Sequence, residues 1–305
     1  MMKRLLMALA GMAAMTVVAH AETYIVVTSS DGTDPFWPVV NRGAEEAGQK
    51  VGATVVIRHP NQVDPAEMVQ IIDTAIAQHP DGLVISVMDG DVLGPEIKKA
   101  VDAGIPVVAI NSNEDAAHKN GAMFYVGQPE FKAGQGAGTK AKALGVTKQF
   151  CILGLASDTA LRDRCRGYAD ALGVEPNIIE SGNDPAEIKA RAAAYIASHP
   201  DINGILSTDP FGCPAVRDAI SESGKEGKIV LGCFDLTPEI MKMITAGQVA
   251  FTVDQQEYLQ GYMPIIALDL YTKFGLVPAS DILSGPGFVT KDTVAKVQAL
   301  AGKYR

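Results

Sequence analysis

The sequence has little of the chemistry that most enzymes need. It contains one tryptophan, five histidines and four cysteines. The histidines are scattered and the cysteines form no C-x-x-C pair, so the pattern predicts no metal site. No nucleophile elbow or P-loop occurs. Gly134-x-Gly136-x-Gly138 lacks the spacing of a dinucleotide site and lies in a helical run, where close helix packing is the better interpretation. We therefore expect no cofactor and no catalytic residues.

All four cysteines lie in the second half of the chain, at Cys151, Cys165, Cys213 and Cys233. An exported protein could pair some of them. Two of them lie in β-like runs, where a buried thiol would behave as a small apolar side chain. The sequence alone leaves both interpretations open.

Basic residues are also scarce. The chain has 26 Lys and Arg against 35 Asp and Glu, a formal charge of −9. If the N-terminal segment with Lys3 and Arg4 is removed, the charge becomes −11. This excess of acid argues against nucleic acid and anionic membranes as partners.

The N-terminus has the pattern of a secretory signal peptide. Basic Lys3 and Arg4 precede an apolar run, Leu5–Val18, and then Ala19-His20-Ala21. We predict that residues 1–21 are a signal peptide, cut before Glu22, and that the mature protein is exported. A transmembrane anchor is the alternative, but the run is short for a span. The residue directly after the predicted cleavage point is Glu22 and not a cysteine, so we expect no lipid anchor.

Beyond this segment, β-like runs alternate with amphipathic helical runs, which favours an α/β fold with parallel sheets. An internal repeat is the most informative feature. Asp64-Pro65-Ala66-Glu67 recurs 120 residues later as Asp184-Pro185-Ala186-Glu187. Ile76–Asp81 recurs at the same offset as Ile196–Asp201, except that Ser198 replaces Gln78. Two lobes of the same topology are predicted, with a ligand cleft between them.

In such sheets, ligands bind at the carboxyl ends of the strands. The predicted strand-end residues are Asp34, Phe36, Trp37, Asn111, Ser112, Arg164, Asp209, Phe211, Asp235 and Gln255. Carboxylates, amides and one guanidinium suit the hydroxyls of a neutral polyol, and aromatic rings cover its C–H faces. Several carboxylates against a single arginine disfavour an anionic ligand and leave a cationic one open.

Each residue also has a simpler interpretation. Trp37 could be packed in the core of a stiff turn, and Asp235 could cap a helix. Arg164 lies in a charged cluster at a helix start, where a solvated side chain is the usual outcome. Asn183, before Asp184, is better explained by turn chemistry.

Taken in order, these segments resemble the type I periplasmic solute-binding proteins of sugar ABC transporters, in the ribose-binding branch. The resemblance covers the mature chain. It rests on Asp34-Pro35-Phe36-Trp37, Asp81-Gly82-Leu83-Val84-Ile85, Ala103–Val107, Val126-Gly127-Gln128, Arg164-x-x-Gly167-Tyr168, Ser207-Thr208-Asp209, Phe234-Asp235 and Thr252-Val253-x-Gln255.

The resemblance implies two Rossmann-like lobes joined by three hinge crossings. The first lobe would hold residues 22–127 and 256–285, and the second 128–255 and 286–305. Ribose-type proteins carry Asp-Arg where this chain has Asn111-Ser112, and Asn where it has Asp34 and Asp209. Loss of a bidentate arginine argues against ribopyranose. Another pentose, a branched or furanose sugar, a polyol and an autoinducer-2-like ligand all stay open.

The implied function is that of a monomeric periplasmic receptor. It would bind a small neutral sugar or polyol and deliver it to an ABC permease in the inner membrane. The alternative is a sensory module that presents its ligand to a chemoreceptor or histidine-kinase ectodomain.

Overall fold

The fold is built on two six-stranded sheets. A computed structural model describes residues 21–30, 34–156 and 158–305. Of the predicted signal peptide, only Ala21 falls within these ranges, so the prediction lies outside the described residues. No helix in this described part of the chain is both long and apolar enough to span a bilayer.

The first sheet is entirely parallel, in the order β11-β5-β4-β3-β1-β2. Its strands are β1 (Thr23–Val27), β2 (Thr54–Arg58), β3 (Gly82–Ser86), β4 (Val107–Asn111), β5 (Tyr125–Gly127) and β11 (Ile282–Leu283). The helices of this lobe are α1 (Phe36–Val51), α2 (Pro65–Ala77), α3 (Gly90–Asp102), α4 (Glu114–Lys119) and α10 (Glu257–Phe274).

The second sheet has the order β12-β10-β9-β8-β6-β7, and only β12 runs antiparallel. Its strands are β6 (Gln149–Leu153), β7 (Ile178–Glu180), β8 (Gly204–Ser207), β9 (Val230–Phe234), β10 (Phe251–Asp254) and β12 (Gly287–Thr290). The helices are α5 (Glu130–Ala143), α6 (Thr159–Leu172), α7 (Pro185–Ser198), α8 (Gly212–Glu222), α9 (Pro238–Ala246) and α11 (Val294–Val297).

The internal repeat is visible in the topology. The first five strands of each lobe occupy the same sheet positions, β5-β4-β3-β1-β2 and β10-β9-β8-β6-β7. Asp64 and Asp184, the repeated aspartates, cap α2 and α7, and each is followed by proline at the first helical position. The predicted fold of two α/β lobes is confirmed.

Three short segments carry the chain between the sheets. They connect β5 to α5 (128–129), β10 to α10 (255–256) and β11 to β12 (284–286). We propose that the lobe boundaries predicted from the sequence lie in these segments and that the segments are the hinges about which the two lobes move.

Helices α5 and α6 pack in backbone contact. A methyl group on Gly134 would lie 2.1 Å from the Arg164 carbonyl oxygen, and one on Gly138 would lie 2.4 Å from that of Tyr168. Only glycine permits this approach. The glycine motif is therefore a packing surface, as interpreted from the sequence, and it fixes two helices that carry Glu130 and Arg164.

The sequence pattern predicts helices over Val39–Val51, around Pro95–Ala103 and over Asp292–Ala301, and the structure corrects the limits of all three. Helix α1 begins at Phe36 instead of Val39, since Asp34 Oδ1 accepts the Phe36 N–H at 3.0 Å and closes a turn there. Helix α3 begins at Gly90 instead of Pro95, because Asp89 caps it. The last helix spans only Val294–Val297 instead of 292–301. The first correction moves Phe36 and Trp37 from a loop into a helical turn.

The four cysteines form two disulfides, which settles the question left open by the sequence. Cys151 of β6 is bonded to Cys165 of α6, and Cys213 of α8 is bonded to Cys233 of β9. Each bond ties a strand to a helix at the cleft edge of the second lobe. Cys165 adjoins Arg164, and Cys233 lies two residues before Asp235.

We predict that the pair of changes Cys213→Ala and Cys233→Ala lowers the free energy of unfolding by about 3 kcal/mol, because the bond closes a loop in the unfolded chain. Urea denaturation with and without dithiothreitol measures this. Reductant should destabilise the wild type more than the variant, which keeps one disulfide. Equal stability of both proteins under oxidising conditions would contradict the prediction.

Candidate functional site

A cavity lies between the two lobes at the carboxyl ends of the strands. Its volume is about 60 Å³, and since one water needs roughly 10–15 Å³, it fits a small molecule. It is lined by Ser29, Asp34, Phe36, Trp37, Val63, Met88, Asn111, Leu155, Asp158, Ala160, Leu161, Arg164, Asn183, Asp209, Pro210, Phe211, Asp235 and Gln255.

Nine of the ten site residues predicted from the sequence line this cavity; the exception is Ser112. Ser112 is fully buried, and its hydroxyl donates to the Val87 carbonyl at 3.0 Å and to Asn111 Oδ1 at 3.2 Å. The backbone of Asn111 is left-handed (φ 76°), which turns the next side chain away from the cleft. The structure therefore places Ser112 behind Asn111, as a support and not as a contact.

The sequence reasoning missed other lining residues. Asp158 follows β6 and caps α6 through the N–H of Ala160 at 2.9 Å, so the strand-end rule could have found it. Asn183 follows β7 and was assigned to turn chemistry, yet it lines the cavity. Val63, Met88 and Leu155 carry no sequence signal that separates a cavity wall from core.

Arg164 is buried, with 4% of its surface exposed, and is held on three sides. Its Nε and Nη2 donate to the two carboxylate oxygens of Glu130, at 2.6 and 2.9 Å. Its Nη1 donates to the Thr208 carbonyl at 2.7 Å, and the guanidinium stacks 4.3 Å from the Phe234 ring centre. A guanidinium has five N–H donors. Two remain for a ligand, already oriented.

The three segments that carry the chain between the lobes, 128–129, 255–256 and 284–286, are here called the first, second and third crossings. Polar side chains connect them to the cavity wall. In the first crossing, Gln128 Nε2 donates to Glu130 Oε2 at 3.1 Å, and Glu130 holds Arg164. In the second, Gln255 Nε2 donates to Asp235 Oδ1 at 2.6 Å.

The third crossing is reached through α10. Gln260 Nε2 donates to the Ser284 hydroxyl at 3.2 Å, and Gln260 Oε1 accepts from Asn111 Nδ2 at 3.5 Å. Asn111 and Asp235 end the equivalent strands β4 and β9, and both have left-handed backbones. Strained backbone of this kind is typical of functional sites. Side-chain hydrogen bonds therefore join the cavity wall to the segments that cross between the lobes.

Burial raises the pKa values of the carboxylates that line the cavity. It raises the pKa of Asp34 and of Asp235 to about 7 and the pKa of Asp158 to about 6. It also raises the pKa of Asp209, although an N–H bond from Gly212 at 2.8 Å opposes the shift. Burial in this cavity is therefore unfavourable for four ionised carboxylates.

The aromatic residues serve both cavity and core. Phe36 and Trp37 pack edge to face with ring centres 4.9 Å apart, and both belong to the hydrophobic core of the first lobe. Both also line the cavity. The two interpretations of Trp37 are thus compatible, because one part of the ring packs inward and another faces the cleft.

Among the described residues, no three His, Cys, Asp or Glu side chains are grouped so that they could hold a metal ion. What the cavity offers instead is a set of fixed hydrogen-bonding groups from both lobes, with rings beside them. This arrangement binds a small polar molecule by enclosing it.

The profile of the periplasmic binding protein domain family matches residues 25–275. The chain belongs to this family. Periplasmic binding proteins bind solutes and are not enzymes, and the resemblance seen in the sequence is thereby confirmed.

Relatives and solved structures of this family cover most of the chain. A xylose/arabinose-binding protein of Sulfolobus acidocaldarius is 27% identical, over 94% of this chain and 76% of the relative. A carbohydrate transporter of Acidothermus cellulolyticus, solved with myo-inositol, is 29% identical with a TM-score of 0.86, over 93% of this chain and 99% of that structure. An ABC transporter solute-binding protein of Burkholderia graminis, solved with D-arabinose, is 26% identical with a TM-score of 0.81, over 89% and 96%.

Proposed function

We propose that this protein is the periplasmic substrate-binding component of an ABC importer and that its ligand is a small neutral sugar or polyol. The observation that carries the proposal is the cavity wall, in which carboxylates, amides and the two remaining N–H groups of Arg164 come from both lobes. Each hydroxyl of a polyol can donate to a carboxylate and accept from arginine or an amide.

Lobe closure is the proposed mechanism. Open and closed arrangements interconvert about the three crossings, and a ligand that contacts both lobes favours the closed one. Asp34, Trp37 and Asn111 bind it from the first lobe, and Arg164 and Asp235 bind it from the second. The permease in the inner membrane then recognises the closed form.

Three further observations support export and this ligand class. The N-terminal residues have the signal-peptide pattern, and two disulfides suit an oxidising compartment. The relatives described above were found with pentoses or are named for them, and one was solved with a cyclitol. We infer a pentose-sized sugar or a cyclitol as the first ligands to test.

Titration calorimetry against pentoses, hexoses, linear sugar alcohols and inositols tests the proposal. We expect at least one member to bind with a dissociation constant at or below the micromolar range. Ribose serves as the reference ligand that we expect to bind weakly, because this chain has Asn111-Ser112 where ribose-type proteins carry Asp-Arg. The protein is first freed of co-purified ligand by partial unfolding and refolding. If no member of the panel then binds, the proposal is refuted.

Trp37 is predicted to report the ligand. It is the only tryptophan in the chain and it lines the cavity, so a bound ring should change its fluorescence. Emission is recorded during titration with the ligand found by calorimetry, and with a panel member that does not bind as the control. A confirmed ligand that leaves the emission unchanged would place Trp37 in the core alone.

Affinity for a neutral ligand should fall by about tenfold between pH 8 and pH 5. The free cavity holds Asp34 and Asp235 with a pKa of about 7, and hydroxyls that donate to these carboxylates lower it in the complex. Binding therefore releases protons, and a tenfold change corresponds to about 1.4 kcal/mol. Calorimetry in buffers of different ionisation enthalpy measures the release. A pH-independent affinity would contradict it.

A further inference from the structure

The charge of the cavity wall is not balanced. Four carboxylates line it, and Arg164 is the single cation among the described lining residues. Arg164 is already bonded through two nitrogens to Glu130, which is 7% exposed and lies behind it. The buried pair is neutral as a unit, so no second cation among the described lining residues faces Asp34, Asp158, Asp209 and Asp235 when they are ionised.

The carboxylates are fixed in position. The Phe36 N–H donates to Asp34 Oδ1 at 3.0 Å, and N–H groups at the start of α6 donate to Asp158 Oδ1. Gln255 donates to Asp235 Oδ1 at 2.6 Å. Within the described residues, the hydrogen bonds of these three carboxylates all go to one oxygen, whereas Asp209 accepts from the Gly212 N–H at one oxygen and from the Thr208 hydroxyl at the other. The second oxygens of the three form a preorganised set of acceptors, and a ligand pays little to orient them.

Asp34 lines the same cavity as the other three carboxylates. The negative charges of Asp209 and Asp158 and the positive charge of Arg164 act on Asp34, and the charge of Asp34 acts on Asp235. Opposite charges attract more strongly in a buried site than in water. A single positive charge beside Asp34 would interact favourably with several carboxylates at once, which a neutral hydroxyl does not.

The same part of the cavity offers aromatic rings. Phe36 and Trp37 follow Asp34 in the first turn of α1, and both line the cavity. Aromatic faces attract cations, and tryptophan does so most strongly. The two remaining N–H groups of Arg164 need acceptors, which hydroxyl oxygens provide. The wall therefore holds both groups that attract a cation and groups that bind hydroxyls.

We infer that the cleft binds an amino-substituted polyol, with its protonated amine beside Asp34 and its hydroxyls toward Arg164 and Asn111, more tightly than the neutral polyol of the same size. This inference rests on the proposed polyol-binding function and adds one chemical group to the ligand. The excess negative charge of the whole chain also steers a cation toward the protein.

Matched pairs of ligands test the inference by calorimetry at pH 7. The pairs are glucose with glucosamine, galactose with galactosamine, and myo-inositol with amino-deoxy-inositols. N-acetylglucosamine, which keeps the nitrogen and loses the charge, is the control. We expect the amine of at least one pair to bind ten times more tightly or better, and the acetylated form to lose this advantage.

Two variants locate the amine. Asp34→Asn should reduce the ratio of amine affinity to neutral-ligand affinity at least fivefold. Thermal melting shows whether this variant is folded, and if it is not, the same ratio is measured for Asp209→Asn. Asp292→Asn removes the same charge at an exposed position and should leave the ratio unchanged. Equal weakening of both ligands by Asp34→Asn and Asp209→Asn would overturn the placement of the amine.

The outcomes separate the two proposals. If neutral polyols bind and no amine binds more tightly than its neutral partner, the inference is overturned and the polyol function stands. If neither amines nor neutral polyols bind, the polyol function itself fails. If the tighter binding of an amine is abolished by acetylation and reduced in the Asp34 variant, both proposals are supported.

Discussion

Replacing Arg164 with methionine is expected to abolish ligand binding and to lower the free energy of unfolding by about 3–5 kcal/mol. The change removes the two N–H groups that face the cavity. It also leaves Glu130 charged, buried and without its bidentate partner. Breaking a buried pair on one side costs about this much, because the remaining charge has lost its solvent and its partner.

The double variant Arg164→Met with Glu130→Gln separates stability from binding. We expect it to recover most of the lost stability, because no unpaired charge remains, and to stay unable to bind. Urea denaturation and calorimetry on the four proteins of this cycle measure both quantities. If the double variant is as unstable as Arg164→Met, the loss comes from packing against Phe234 and not from the ion pair.

The position of Arg164 shows what the sequence could and could not predict. Its neighbours Arg162, Asp163 and Arg166 suggested a solvated helix face. Helical spacing, however, puts Arg164 on the same face as Leu161 and Tyr168, which are 7% and 1% exposed. That signal was present and would have placed the side chain inward. The ion-pair partner of Arg164 could not be predicted, because Glu130 lies 34 residues away on another helix.

The fold was predictable because its signals are local and repeated. Alternating strand and helix patterns, with Asp-Pro starts at Asp64 and Asp184, specify parallel sheets and two equivalent lobes. Element ends were less predictable, since they depend on single side-chain bonds such as that of Asp34 to the Phe36 N–H.

The site was predicted where it follows from topology and missed where it depends on detail. Strand-end residues had to meet at one edge, and nine of the ten residues predicted on this ground line the cavity. Ser112 does not line the cavity because its buried hydroxyl donates to the Val87 carbonyl, a contact that the sequence does not indicate. The disulfide partners, 14 and 20 residues apart, leave no pattern in the sequence that would have paired them.

Asp235→Asn is expected to weaken binding of the ligand by about 100- to 1000-fold, or roughly 3–4 kcal/mol. Asp235 is 4% exposed, and its second carboxylate oxygen is available to the ligand. The asparagine Oδ1 can still accept from Gln255, so the link to the second crossing is retained. The charge is lost and the oxygen that faces the ligand becomes an NH2 donor, and calorimetry against the wild type measures the contribution of the carboxylate to binding.

The same variant should be more stable than the wild type when no ligand is present. The pKa of Asp235 is about 7 in the folded protein, above its ordinary value of 3.8. The folded state therefore holds a proton between these values that the unfolded state releases, and stability from this group falls as the pH rises. With about 1.4 kcal/mol for each pKa unit, the ionised group costs up to about 4 kcal/mol above pH 7. Opening of the lobes reduces this cost in the free protein.

The gain in melting temperature of Asp235→Asn over the wild type should be largest at pH 8 and should shrink toward pH 3, below the ordinary pKa of 3.8, where Asp235 is mostly protonated in both states. Asp292→Asn, at an exposed position, controls for the change in net charge. A variant that is less stable at every pH would show that Asp235 stabilises the free fold. A gain confined to high pH would show that the carboxylate is held in an unfavourable place that only a ligand makes favourable, as expected of a group kept for binding.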